Sequence, residues 1–225
     1  LNSQPMGFYA PAQLVRDAQE HDVEVREVDV NASRWDSSLE RRDDGNLALR
    51  LGFRQVDGFR EAWAAQIVAA RATSFTTIEE LARRADLPSR ALRLLAEADA
   101  CRSMGLDRRP ALWNARRVRQ GVLPLFGAAA ADELGAEDDA QLPPTPLVEN
   151  VLTDYQTTRL SLKGHPMAFL RDDLAREGVL SAAQVMAAKN GSIVRTAGVV
   201  LIRQRPGKGN AIFITLEDEG GVVNI

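Results

Sequence analysis

The 225-residue chain has a single cysteine, Cys101, and only two histidines, His21 and His165. One cysteine excludes an internal disulfide framework and any thiolate zinc cluster, and it suits a reducing compartment. The histidines lie far apart without Glu or His at ligand spacing, which argues against a histidine-rich metal site. His165 precedes Pro166 and reads as a turn residue. No apolar run approaches the roughly 18 residues needed to span a bilayer, and no basic, apolar, small-residue leader opens the chain. The expected setting is therefore cytoplasmic, with no membrane partner. What is present is ordinary for a folded chain of one to two domains, 45% hydrophobic and 26% charged. The first residue is Leu1 and Val222-Val223-Asn224-Ile225 stops inside an expected strand. The sequence is accordingly read as a piece of a longer protein.

A positive charge excess is also lacking overall, since the formal net charge is −3. The sum hides segregation along the chain. Between Arg41 and Arg119 there are 16 Arg against 10 acids; from Gln120 to Glu149 there are six acids and no Lys or Arg; from Arg195 to Gly209 there are four basic residues and no acid. Two basic segments thus flank an acidic one.

The first basic segment contains the most informative local pattern, a tight turn around Gly58 followed by a helix with Trp63, Ile67 and Ala70 on one face. A helix start presents unpaired N–H donors and the positive end of the dipole, so a phosphate can sit there without a basic side chain. The usual hydrophobic-Pro-Gly-hydrophobic-Gly hairpin here reads Val56-Asp57-Gly58-Phe59-Arg60, with Asp for Pro and Arg for the second Gly. The alternative is a plain helical turn that packs a core through Trp63 and Ile67, and the two roles are compatible.

Pro11 to Glu20 has helical spacing, and Val23 to Val30 reads as a strand. Leu47, Leu49, Leu51 and Phe53 alternate with Ala48, Arg50, Gly52 and Arg54, which predicts a half-buried strand with a basic polar face. Helices are expected from Arg60 to Arg71, Thr77 to Ala85 (opened by Thr76-Thr77 with Glu79-Glu80), Ser89 to Asp99 and Arg108 to Gln120. Gln120 to Glu149, with Pro143-Pro144-Thr145-Pro146, reads as a linker. Helical spacing returns at Thr153 to Leu162, Pro166 to Glu177 and Ser181 to Lys189. From Gly191 the pattern is β-rich: Ile193 to Ile202 with a bend at Gly198, a basic loop from Gln204 to Gly209, a strand from Ala211 to Leu216, and a third strand after Glu217 to Gly221. That suits the opening strands of a small five-stranded barrel used for oligonucleotides. The fold class is α+β, mainly helical: a helical hairpin block with a small β segment, followed by a truncated OB-type β-barrel.

The segments LNSQPMGFY (Leu1 to Tyr9), VDGFREAWAAQIVAAR, LPSRALRLLAEADACRSMGLDRRPALW (Leu87 to Trp113), DYQTTRLSLKGHPMAFLR (Asp154 to Arg171) and VLIRQRPGKGNAIFITLEDEGGVVNI (Val200 to Ile225) resemble the C-terminal part of a bacterial C-family DNA polymerase. The likeness is to the error-prone branch related to the replicative polymerase III alpha subunit. It implies the end of the fingers and a helix-hairpin-helix block over 1–120, a linker over 121–150, a helical connection over 151–190 and an incomplete OB-fold over 191–225. It implies nucleotide addition during damage-induced mutagenesis, with two magnesium ions held by palm aspartates upstream of Leu1. Implied partners are primer-template and single-stranded DNA, the palm and thumb of the same polypeptide, a sliding clamp and accessory mutagenesis proteins. A two-metal site needs carboxylates converging on ions roughly 3.5–4 Å apart. Glu27 with Asp29, Asp43-Asp44 and Glu217-Asp218-Glu219 offer no convincing set, so this piece is expected to lack catalytic and metal-binding residues and to be inactive alone.

On this basis the N–H groups of Gly58, Phe59 and Arg60 and the Arg60 side chain are the candidate duplex contacts, with Arg50, Arg54, Arg108 and Arg109 continuing a basic track. Basic runs also serve as solvated helix faces. For single strands, Phe213 is the candidate stacking ring and Arg203, Arg205 and Lys208 the backbone contacts; alternatively Phe213 plugs one end of a barrel. Gln120, Leu123, Leu125 and Phe126 resemble a clamp-docking peptide, or fold back on the helical block. A non-catalytic adaptor built from the same modules, recruiting a clamp or repair partners, is the main alternative function. An OB-type domain of a tRNA-handling enzyme is a third, which leaves the hairpin block unexplained.

Overall fold

A computed structural model describes residues 1–5, 9–118, 142–207 and 211–225. Contacts divide them into two units, Leu1–Leu162 and Lys163–Ile225.

In the first unit, helix α1 (Pro11–Glu20) leads into a three-stranded mixed sheet of β1 (Glu24–Arg26), β2 (Ser38–Arg41) and β3 (Leu47–Arg50). The central strand β3 runs parallel to β1 and antiparallel to β2. The strand expected over Val23 to Val30 is cut to three residues, because Val28 and Val30 leave the ladder to enter the core. The expected inward face of β3 is also corrected: Ala48 is fully buried and Leu47 is half-exposed. The register explains this. Glu24 and Glu40 flank Ala48, and Arg26 flanks Arg50, so the face read as basic is roofed by an ion-pair lattice. Arg50 and Arg26 bind Glu40 at 2.9 Å each, and Arg26 binds Glu24 at 2.7 Å. Arg50 holds the Glu40 carboxyl below the usual carboxylate range. Leu51 and Phe53 reach the core by leaving the strand through a 3-10 turn at Phe53–Gln55.

Four helices follow: α2 (Glu61–Ala70), α3 (Ile78–Arg84), α4 (Ser89–Glu97) and α5 (Arg108–Arg117). Their apolar positions converge, with Ile67, Ile78, Leu81, Leu92, Leu95 and Ala111 all inaccessible to solvent. The start of α3 follows its sequence signal: the Thr77 hydroxyl accepts the Glu80 N–H at 3.1 Å, and the Glu80 carboxylate accepts the Thr76 N–H at 2.9 Å. Cys101 is buried among these helices, and burial pushes its thiol up to about 12, which leaves it unreactive.

Helix α6 (Leu147–Thr157) begins inside the segment read as linker, six residues before the expected Thr153. It is held by a buried cation. Arg108 at the start of α5 pairs with Asp154, and its guanidinium donates to the Asn150 side chain at 2.6 Å and to the Glu97 carbonyl at 2.9 Å.

The second unit opens with a 3-10 turn at Pro166–Leu170, where His165 Nδ1 accepts the Met167 N–H, followed by α7 (Arg171–Arg176). Strands β4 (Val179–Leu180) and β5 (Arg195–Thr196) pair in parallel around α8 (Ala182–Ala187), whose N-terminus is capped by Ser181. A meander of β6 (Val199–Gln204), β7 (Phe213–Asp218) and β8 (Gly221–Asn224) completes it. Gly198 is required at the bend, since a Cβ there would lie 2.7 Å from the Glu217 carbonyl oxygen. Leu216 and Val223 pack against Ala182. The fold is α+β and mainly helical, and among the described residues its three-stranded sheet forms no closed barrel.

Candidate nucleic-acid interface

The turn at Gly58 is rigid because its flanks are anchored in the core. The Phe53 and Phe59 rings lie 5.5 Å apart, and Phe59 meets Trp63 edge-on at 5.4 Å. Between these anchors the Val56 carbonyl accepts the Phe59 N–H at 3.1 Å. Gly58 takes φ +74°, the left-handed region that glycine enters without a Cβ penalty. The space is not the constraint, for a Cβ would meet only Arg90 at 3.7 Å and Leu94 at 4.0 Å.

Of the three expected amide donors, Phe59 is corrected. Its N–H is used within the turn and its ring is buried. Gly58 and Arg60 are exposed, and their N–H groups have no partner among the described residues. The first two amides of α2, from Glu61 and Ala62, are also unpartnered there. Together they form a donor array at a helix start, the geometry that receives a phosphate.

Two guanidiniums reinforce it. Arg60 lies over the Trp63 ring at 5.0 Å and makes no ion pair among the described residues. Arg90, in the first turn of α4, is exposed, equally without an ion pair, and has its Nη2 beside Gly58. The sequence pattern alone does not mark Arg90. Its signal was the turn Asp86-Leu87-Pro88-Ser89, a second helix start that packing brings next to the first. Asp57, the residue in the proline position, donates its N–H to the Thr157 carbonyl at 2.7 Å and pairs through its carboxylate with Arg159 at 3.1 Å.

Each member of the extended arginine track already holds a partner. Arg50 is bound by Glu40 and donates to the Glu27 carbonyl at 2.8 Å. Arg54 pairs with Asp36 at 2.6 Å. Arg108 is buried against Asp154, out of reach of any duplex. Arg109 pairs with Glu149 at 2.7 Å. Arg50 and Arg108 are thereby committed to the fold, whereas Arg54 and Arg109 pair with acids that are themselves 55% and 52% exposed.

In the second unit, an open cleft of about 350 Å³ is lined by Arg203, Gln204, Arg205 and Ile212. Phe213 is half-exposed. The register places it opposite Gln204, whereas Arg203 stands opposite Ile214 on the other face. The sheet therefore does not bring the Phe213 ring and Arg203 together on one surface. Lys208 lies outside the described residues, as do Gln120, Leu123, Leu125 and Phe126.

Three of the carboxylates named for metal binding are engaged in the fold. Asp29 accepts the N–H groups of Asn31 and Ser103, and Asp218 and Glu219 hold Arg171. Among the described residues no three His, Cys, Asp or Glu side chains converge on a point. No helix among them is long and apolar enough to cross a membrane.

Comparison with known proteins agrees with this geometry. Residues 22–111 match the helix-hairpin-helix motif, which covers the sheet, the hairpin and α2 to α4. The whole chain is 53% identical over 227 residues to an error-prone DNA polymerase of Brucella abortus and 54% identical over 247 residues to one of Rhodopseudomonas palustris. It is 46% identical over 279 residues to one of Bradyrhizobium diazoefficiens. The chain spans about a fifth of the length of these curated relatives, 21%, 21% and 24% respectively. The resemblance to error-prone polymerases is thus shown along the entire chain, as homology to a segment of them.

Proposed function

We propose, from this homology, that the chain is the nucleic-acid-handling segment of a damage-induced, error-prone DNA polymerase, which holds primer-template duplex for template-directed nucleotide addition. One observation carries the proposal. In a segment matching a helix-hairpin-helix motif, the Gly58, Arg60, Glu61 and Ala62 amides are unpartnered beside the Arg60 and Arg90 guanidiniums, which make no ion pair among the described residues. Amide donors and arginines at a helix start bind the sugar-phosphate backbone without reading sequence.

On this proposal the magnesium-dependent chemistry belongs to polypeptide beyond these 225 residues, and the isolated chain incorporates no nucleotide. The second unit contributes to holding the single-stranded template, with Phe213 for stacking on one face of its sheet and Arg203, on the other face, together with Arg205 and Lys208 for phosphates. Gln120 to Phe126 serves as a docking peptide for a sliding clamp, alongside accessory mutagenesis proteins, in a cytoplasmic setting.

Fluorescence anisotropy with a labelled blunt-ended duplex tests the central element. Gly58→Pro removes one amide donor and is incompatible with φ +74°. It should weaken duplex binding by at least tenfold while Phe213→Ala leaves duplex affinity unchanged. Equal duplex affinity for Gly58→Pro and the parent chain would refute the assignment.

A further inference from the structure

Asp57 precedes Gly58 in the turn, and its exposed carboxylate opposes any anion that approaches the Gly58 and Arg60 amides. A counter-charge reaches it from just beyond α6, where the Arg159 guanidinium lies 3.1 Å from that carboxylate. The Asp57 N–H bond to the Thr157 carbonyl fixes the same end of α6 against the hairpin. Arg159 itself takes φ +62°, a left-handed backbone that L side chains rarely adopt. The pair contributes little to the fold: its side chains are 72% and 59% exposed, and exposed pairs are worth about 0–1 kcal/mol. Its main effect therefore falls on the electrostatic field at the hairpin.

We propose that Arg159 is the charge compensator of the hairpin: it neutralises Asp57 so that a nucleic-acid phosphate can occupy the adjacent amides. The proposal rests on the hairpin being the phosphate site. It assigns Arg159 a positioning and electrostatic role, distinct from the direct contacts made by Arg60 and Arg90.

A double-mutant cycle on the 225-residue chain tests it, using anisotropy of a labelled primed duplex at low salt together with thermal melts. Arg159→Ala should weaken binding by about fivefold, the scale of one exposed, uncompensated charge at short range in water. Asp57→Asn should bind at least as tightly as the parent. Adding Arg159→Ala to Asp57→Asn should then cost less than about twofold, and Arg159→Lys should retain parental affinity. If Arg159→Ala melts early, Arg159→Gly, which suits the left-handed backbone, replaces it. An equal loss in both backgrounds would mean that Arg159 binds phosphate itself and would overturn compensation, as would no loss in either. Parental binding that survives Gly58→Pro would instead remove the hairpin site, and this proposal with it.

Discussion

The guanidinium of Arg108 lies against the carboxylate of Asp154, 46 residues further along the chain, with side chains only 4% and 7% exposed. This contact joins α5 to α6 and so sets where α6 ends, next to the hairpin. A cation that looks from its sequence context like a DNA contact is instead the fastening of the helical block.

Removing one partner of that pair leaves an uncompensated buried charge, which costs about 3–5 kcal/mol. Arg108→Ala should therefore lower the urea midpoint steeply. The salt dependence of duplex binding by the fraction that remains folded should not change. A slope reduced by a full phosphate contact would show that Arg108 reaches DNA.

The start of α3 should be sensitive to acid. Hydrogen bonds from the Thr76 backbone, then Arg84, then the Thr76 hydroxyl hold the Glu80 carboxyl at about 2, below its ordinary 4.5. A depressed carboxyl contributes stability that is complete above the unfolded value and is lost as pH falls toward the folded one. Melting temperature should decline between about pH 4.5 and pH 2, and Glu80→Gln should flatten part of that decline. An unchanged acid profile in the variant would contradict the assignment.

Gly198 should tolerate no side chain. Alanine would bring its Cβ to 2.7 Å from a backbone carbonyl oxygen, which must move and pull β7 with it. A cost of about 1–3 kcal/mol is expected, read as early loss of strand signal on heating. A variant melting with the parent would show that the bend is plastic.

Helix positions were legible in the sequence wherever apolar spacing and a cap coincided, as at Thr77 and at Ser181. The β3 face was not legible, because alternation reveals two faces but not which one an ion lattice of Glu24, Arg26 and Glu40 will cover. The hairpin glycine is visible as a turn residue, yet the residue pattern does not show that the turn itself spends the Phe59 N–H on the Val56 carbonyl. Charge counting does not reveal the acidic partners of Arg50, Arg54, Arg108 and Arg109, because these lie 10 to 46 residues away. Arg90 escaped notice for the converse reason: only packing brings α4 beside Gly58.

The most direct measurement of the central claim is the salt dependence of duplex affinity for the parent chain and for Arg60→Ala, Arg90→Ala and their combination. Each phosphate neutralised contributes about 0.9 to the magnitude of the log-log slope. Each single substitution should lower the slope by about that amount, and the double by about twice as much. Binding that is insensitive to salt, or slopes identical in all four chains, would contradict the placement of DNA at the Gly58 hairpin.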